Sequence, residues 1–332
     1  MLKSLAAASP ARMDERDGCI RRIVLTGATG FIGYHLQREL IACGHEIVAL
    51  VRPHSNRSSH IVPGVKTCSA SLTDGGDLEQ AVAAADLVIY CAGSIRGRNA
   101  ADFVQANVNG VRALAEAAVR GMPNPRLLLI SSLAASLPNL SDYAFSKHAG
   151  EEIVRATAGL DWVIVRPPAV YGPGDREMRP VFKAIRCGLG ITTGPWEQRL
   201  SLLYVADLAC AVAAIVGQYN KCAMQLFEID DGRRDGYGWP DIIAATRGLI
   251  PVLPVPIPRF ILVAAARANL KLADLCGYAP MLTPGKVREL SHTSWLCNNL
   301  PLTARTNWVP RVQLNEGVRE TFSSDAKAKA KA

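Results

Sequence analysis

No stretch of this chain is apolar for long enough to cross a bilayer. Its most hydrophobic run, Phe260-Ile261-Leu262-Val263-Ala264-Ala265-Ala266, is bracketed by Arg259 and Arg267, well short of the roughly 20 residues a span requires. The run is expected to form a buried or lobe-facing helix, with membrane contact unexpected, although an apolar helix flanked by arginines can also lie in an interface. Paired cysteine spacings are missing too. The nine cysteines stand scattered at Cys19, Cys43, Cys68, Cys91, Cys187, Cys210, Cys222, Cys276 and Cys297, with nothing of the C-x-x-C kind that zinc sites use, so no metal site is expected. An odd count without a framework points to reduced thiols and a cytoplasmic protein. There is no basic block either: 37 Lys and Arg against 29 Asp and Glu leave a net charge of +8 spread along the 332 residues, which speaks for solubility and against a nucleic-acid partner. Near the N-terminus Leu5-Ala6-Ala7-Ala8 is too short for a signal-peptide core and is followed by Arg12, Asp14, Glu15 and Arg16. Residues 1–20 are therefore expected to be a flexible tail.

What the chain does have is glycine in a telling place. The apolar strand Ile23-Val24-Leu25-Thr26 runs into Gly27-Ala28-Thr29-Gly30-Phe31-Ile32-Gly33, and a helical pattern of Ile32, Leu36 and Leu40 follows. A second strand, His45 to Val51, arrives at the length a βαβ unit needs. This arrangement reads as a dinucleotide cradle. Gly27 permits the tight turn, Gly30 lets backbone approach a pyrophosphate, and Gly33 lets the helix pack closely, with the helix N-terminus facing the phosphates. The spacing is three and three, not the two and three of the common dehydrogenase fingerprint.

Strands are expected at 22–26, 45–51, 65–68, 86–91, 126–131 and 161–165, and helices at 31–43, 76–84, 101–120 and 142–158. Such alternation predicts an α/β doubly wound parallel sheet, a Rossmann fold, over residues 21–170. Prolines then break the pattern, and 171–322 is expected to be a smaller substrate-binding lobe with helices at 176–188, 239–248 and 257–276. Residues 200–217 are expected to return to the main sheet. From Ser323 the alternating Lys and Ala offer no apolar face, so 323–332 are expected to be disordered.

The chemistry lies mid-chain. Leu127-Leu128-Leu129-Ile130 ends in Ser131-Ser132, and eleven residues after Ser132 comes Tyr143-Ala144-Phe145-Ser146-Lys147 at a helix start. Positions i and i+4 share a helix face, so Tyr143 and Lys147 project together, within reach of a serine at a strand's carboxyl end. A free phenol titrates near 10, and a nearby ammonium favours the phenolate, so Lys147 is expected to tune Tyr143. The serine hydroxyl can orient a substrate oxygen for hydride transfer to or from a nicotinamide. Cys91, at a strand end, reads as a small core residue and not a nucleophile.

Thr26-Gly27-x-x-Gly30-x-x-Gly33, the Ser132, Tyr143 and Lys147 set, Asn107, and Arg166-Pro167-Pro168-Ala169-Val170-Tyr171-Gly172-Pro173-Gly174-Asp175 together resemble the extended short-chain dehydrogenase/reductase superfamily, its NAD-dependent epimerase/dehydratase group, from about Ile23 to Phe322. The resemblance implies that Tyr143 is the general acid/base, that Lys147 also bonds the nicotinamide ribose, and that Ser132 binds the reacting oxygen, with Ser131 the runner-up. It adds Thr26, Thr29, Phe31, Ile32, Ala92, Pro167 and Val170 to the glycines as cofactor contacts, makes Asn107 a structural residue near a helix bend, and implies a homodimer through the 101–120 and Tyr143 helices. Departures stand beside it. Serine replaces the aspartate often found near the adenine, in Ala70-Ser71-Leu72-Thr73-Asp74, and the serine-to-tyrosine spacing is short. The second strand ends in Arg52, not in the acidic residue that bonds a ribose 2′-OH, which predicts NADP(H) over NAD(H), with a solvated Arg52 beside Arg57 as the alternative. Ala169 stands where sugar-nucleotide members commonly carry a diphosphate-binding asparagine, and alanine has no donor to offer. The consecutive prolines and Gly172-Pro173-Gly174-Asp175 resemble instead the branch that handles sterol-like or other apolar hydroxyl and carbonyl compounds, which implies an apolar or sterol-like alcohol or ketone bounded by the apolar residues between 249 and 263, although Arg176, Arg179, Lys183 or Arg186 could hold a diphosphate. Three classes stay open: an NAD(P)-dependent oxidoreductase, a nucleotide-sugar epimerase or dehydratase with tightly bound NAD, and a cofactor-binding module without turnover.

Overall fold

Strands buried on both faces need unbroken apolar runs, and the first half of the chain supplies them. A computed structural model describes residues 20–52, 60–72 and 75–329. In chain order the Rossmann half comprises β1 (Arg22–Thr26), α1 (Phe31–Ala42), β2 (Glu46–Val51), β3 (Lys66–Ser69), α2 (Gly75–Val82), β4 (Leu87–Tyr90), α3 (Ala100–Val104), α4 (Gly110–Gly121), β5 (Arg126–Ile130), α5 (Asp142–Ala156) and β6 (Asp161–Arg166). Then follow β7 (Ala169–Tyr171), α6 (Met178–Arg186), β8 (Leu189–Thr192), β9 (Arg199–Leu200), β10 (Leu202–Tyr204), α7 (Val205–Gly217), α8 (Tyr219–Cys222) and β11 (Gln225–Glu228). The chain closes with α9 (Trp239–Thr246), β12 (Leu253–Pro256), α10 (Arg259–Cys276), α11 (Pro284–Leu290), β13 (Ser294–Trp295), α12 (Leu300–Thr306) and α13 (Leu314–Lys329).

Seven strands form one parallel sheet in the order β11-β6-β5-β4-β1-β2-β3. Side chains alternate across it. Ile23 and Leu25 face α1 and α7, where Leu36, Leu40, Leu208, Val212 and Ile215 cover them. Val24 and Val88 face α2 and α4, against Leu78, Val82, Val111 and Leu114. A third core gathers Tyr171, Phe182, Tyr204, Trp239 and Val318 under the C-terminal lobe, and a small fourth joins Leu262 and Ala266 of α10 to Val287 of α11. Because every strand of the main sheet points the same way, the loops after β1, β2, β4, β5 and β6 open at one edge, where such sheets bind ligands.

The elements depart from the sequence expectation in particular places. The helix expected over 101–120 is interrupted by a π-helical segment at Gln105–Asn109, because Tyr90 donates its hydroxyl to the Ala106 carbonyl at 2.5 Å and Asn107 turns inward. β11 adds a seventh strand that its four-residue, half-buried sequence did not announce. The alternating Lys and Ala region, expected to lack structure, continues α13 through Lys329. Both residues are good helix formers, and a helix already docked through Leu314 and Val318 propagates cheaply. Phe260 to Ala266 is not buried as a whole: Leu262 and Ala266 turn inward, Val263 packs beside them half-buried, and the rest are exposed. Ile20, the last residue of the expected N-terminal tail, is buried against the core of the β1 face, while residues 1–19 with Cys19, and Arg57, Thr73 and Asp74, lie outside the described residues.

Candidate active site

The glycine loop after β1 has the geometry of a cradle. Gly27 adopts φ +66°, and a Cβ there would sit 2.6 Å from the Ala92 nitrogen. A Cβ on Gly33 would come 2.1 Å from the Gly27 carbonyl oxygen, and the Gly30 amide donates to that same oxygen at 2.9 Å. Thr26 lies beneath, its Oγ1 accepting from the Cys91 and Ala92 amides at 3.1 Å each, which ties the end of β1 to the end of β4. Gln37, buried on α1, braces the loop by donating to the Ala28 carbonyl at 2.8 Å. The opening turn of α1 and its bare backbone thus remain clear for a dinucleotide's phosphates, so these residues fit the cofactor the sequence implies. Phe31 packs edge-on to His35, whose Nε2 pairs with the Pro173 carbonyl at 3.0 Å, and the loop through Gly174 rests against the same ring. Ile32 and Val170 pack on the core of the α1 face, Thr29 is half-buried in the loop, and the Pro167 carbonyl accepts from Leu133 at 2.8 Å. Arg52 stands exposed just past β2.

Ser131 and Ser132 end β5 and diverge. Ser131 is buried and donates to Glu151 at 2.5 Å. Ser132 accepts from the Ala134 amide at 3.2 Å and faces Tyr143. α5 starts cleanly because the Ser141 hydroxyl accepts from the Ala144 amide at 3.0 Å, an N-cap that fixes where Tyr143 emerges. Lys147 follows one turn later, buried, donating to the Ile130 carbonyl at 2.9 Å. A Cβ on Gly93 would lie 3.6 Å from its Nζ, so Lys147 sits between the β4 and β5 loops. Asn107 donates to the Ser94 carbonyl and to Ser146 Oγ at 2.9 Å each, and accepts from the Ser94 amide at 3.0 Å. It pins the β4 loop to α5.

Burial pushes the Tyr143 phenol up to about 12, the Ser132 hydroxyl pulling the other way and the Glu289 carboxylate adding to the rise. Burial also lowers the Lys147 ammonium to about 8, against the opposing influence of Cys91 and Glu151. The lowered phenol expected from Lys147 is therefore not found: desolvation outweighs any attraction, and the ammonium is engaged with the Ile130 carbonyl. Burial likewise pushes the Cys91 thiol up to about 12.

Three neighbours of Tyr143 were not singled out by the sequence. Phe103 packs its ring 6.1 Å away, and Lys286 of α11 places its Nζ 5.9 Å from the ring centroid. Glu289 accepts from Lys286 at 2.8 Å and from the Ser141 hydroxyl. Lone residues of ordinary type, Phe103 on the short α3 and Lys286 and Glu289 in the proline-broken region, carry no pattern to find them by. The apolar walls expected between 249 and 263 are not formed by that whole stretch, since Leu249, Ile250, Leu253, Phe260 and Ile261 are exposed.

A glycine cradle opening on a Rossmann sheet, with serine, tyrosine and lysine gathered at the same edge, defines an enzyme of the NAD-dependent reductase and epimerase kind. The chain belongs to the NAD dependent epimerase/dehydratase family, whose profile matches residues 23–227. It is 35% identical over 284 residues to the ceramide reductase of Caulobacter vibrioides, covering 84% of this chain and 87% of that protein. It is 25% identical to the 2-alkyl-3-oxoalkanoate reductase of Stenotrophomonas maltophilia, over 92% of this chain and 99% of that one. Among solved structures, UDP-glucose 4-epimerase of Thermus thermophilus in complex with NAD superposes with a TM-score of 0.68 at 20% identity, covering 92% of this chain and 99% of that one. At that identity the likeness is one of fold.

Proposed function

We propose that the protein is an NADP(H)-dependent reductase of a long apolar ketone, of the lipid kind represented by ceramide. The observation that carries this reading is the Ser132 hydroxyl facing a Tyr143 phenol whose proton is firmly held, with the Lys147 ammonium one turn along the same helix. A nicotinamide dinucleotide held at the Gly27, Gly30 and Gly33 cradle would supply hydride chemistry to the carbonyl carbon. Ser132 donates a hydrogen bond that holds the carbonyl oxygen, and Tyr143 passes its proton to that oxygen as the alcohol forms. Lys147 offsets the negative charge left on the phenolate.

Substrate class rests on Ala169, which offers no donor to a diphosphate, on the Phe103 ring beside Tyr143, and on two relatives named for acyl-chain substrates. NADP(H) preference rests on Arg52, a guanidinium suited to a 2′-phosphate, at the end of β2. Steady-state reduction of a ceramide-type ketone with NADPH and with NADH, on wild type and Arg52→Ala, tests both parts, alongside calorimetry with UDP, dTDP and GDP. Turnover favouring NADPH, with the preference lost in Arg52→Ala, is expected. Micromolar binding of a nucleoside diphosphate would restore the sugar-nucleotide reading, in which an arginine or lysine of the α6 region takes the place of the missing asparagine.

A further inference from the structure

The helix α10 presents to solvent a face that its sequence would normally hide. Leu262 and Ala266 turn inward onto Val287 of α11, and Asn269 fastens the same side by donating to the Leu282 carbonyl at 3.0 Å. That anchoring fixes what points outward. Phe260 is 73% exposed, Ile261 46%, Leu272 52% and Leu275 85%, and at 100° per residue these positions, with Ala264, Ala265 and Ala268 between them, line one outer stripe that Lys271 enters near its Phe260 edge. An apolar stripe on a well-anchored helix marks a surface meant to be covered.

Charge indicates by what. α10 carries Arg259, Arg267 and Lys271 against a single acid, Asp274. Among the described residues none of the three cations makes an ion pair. Arg259 and Arg267 flank Phe260, Val263 and Ala264 around an open groove of about 540 Å³. Two guanidinium groups beside an apolar floor match the boundary where phosphate headgroups give way to acyl chains. A helix of this kind lies in the plane of a membrane; none among the described residues is long and apolar enough to cross one. The location also has a use: the inner side of α10 packs on α11, and α11 carries Lys286 to the Tyr143 ring, so the stripe lies one helix away from the candidate active site.

We propose that the outer face of α10 docks on the surface of an anionic phospholipid bilayer. This docking stands apart from the substrate reading above, because binding to vesicles requires no substrate. The test is cosedimentation of the full chain with phosphatidylglycerol/phosphatidylethanolamine vesicles and with phosphatidylcholine vesicles. Wild type should bind the anionic vesicles, less tightly at high salt. Phe260→Ser with Leu275→Ser should weaken that binding at least tenfold, and Arg259→Gln with Arg267→Gln should reduce it to the level on phosphatidylcholine. All four side chains are on the surface, so unchanged melting curves verify that the variants are folded. Absence of wild-type binding to anionic vesicles would overturn the proposal, as would unchanged binding by both double variants. So would a wild-type dimer in sedimentation equilibrium that Phe260→Ser with Leu275→Ser splits, since a second copy would then cover the face.

Discussion

Two adjacent serines end β5, of which the family resemblance favours Ser132, and a buried carboxylate sets their surroundings apart. Glu151, one turn beyond Lys147 on α5, takes the Ser131 hydroxyl, and Ser132 is left facing Tyr143. At this scale the glycines and the Tyr-x-x-x-Lys spacing were legible, because each is a local rule of backbone or helix geometry. The environment of Tyr143 was not, because Phe103, Lys286 and Glu289 reach it from distant parts of the chain. Burial holds the phenol's proton up to about 12, with the Glu289 carboxylate adding to the rise and the Ser132 hydroxyl opposing it. Replacing it with Phe keeps the ring and removes the proton. Turnover of Tyr143→Phe with NADPH should fall by about two to four orders of magnitude, while cofactor affinity measured by fluorescence titration stays as in wild type. Near-normal turnover would remove Tyr143 from the chemistry.

Among elements, α5 has the most to do, and its seat on the sheet rests on an acid with no solvent exposure. Glu151 receives Arg166 at 2.7 and 2.8 Å as well as Ser131, and Arg166 reaches on to Glu228 at 3.1 Å. The group joins α5 to β5, β6 and β11. On its other side α5 comes close enough to the π-helical segment that a Cβ on Gly150 would stand 2.4 Å from the Asn107 carbonyl oxygen. Glu151→Ala leaves the half-buried Arg166 with Glu228 alone, and breaking a buried pair by removing one partner costs about 3–5 kcal/mol. Urea melts should reveal that loss. A cost below about 1 kcal/mol, the usual upper range for exposed ion pairs, would mean that α5 is held by apolar packing alone. The elements legible in the sequence are those with apolar runs or sustained helical period, from β1 through β6 and again at α6, α7, α9 and α10. Short pairs such as β8 with β12 and β9 with β13 escaped, because two to four partly exposed residues carry no periodicity to read.

At the scale of the whole molecule, the C-terminal lobe reaches the candidate active site through α11. Arg288 donates to the Leu140 carbonyl at 2.6 Å, and Glu289 takes the hydroxyl of Ser141, the residue that caps α5. A Cβ on Gly285 would lie 2.9 Å from Ser141 Cβ and 3.3 Å from its Cα. The lobe thus presses on the N-cap that fixes Tyr143, two residues further on. This contact can be wedged open in graded steps. Alanine in place of a helical glycine ordinarily gains up to about 1 kcal/mol, so any loss in Gly285→Ala must come from the crowding at Ser141. Gly285→Val enlarges the wedge. Small misplacements of a reacting group can cost up to about 100-fold in rate, and turnover should fall from Gly to Ala to Val, reaching tens of fold at Val. The glycine cradle lies on the Rossmann half, away from α11, so NADPH affinity should stay within about threefold of wild type throughout. Full turnover in a folded Gly285→Val protein would mean that the seating of α11 does not position Tyr143.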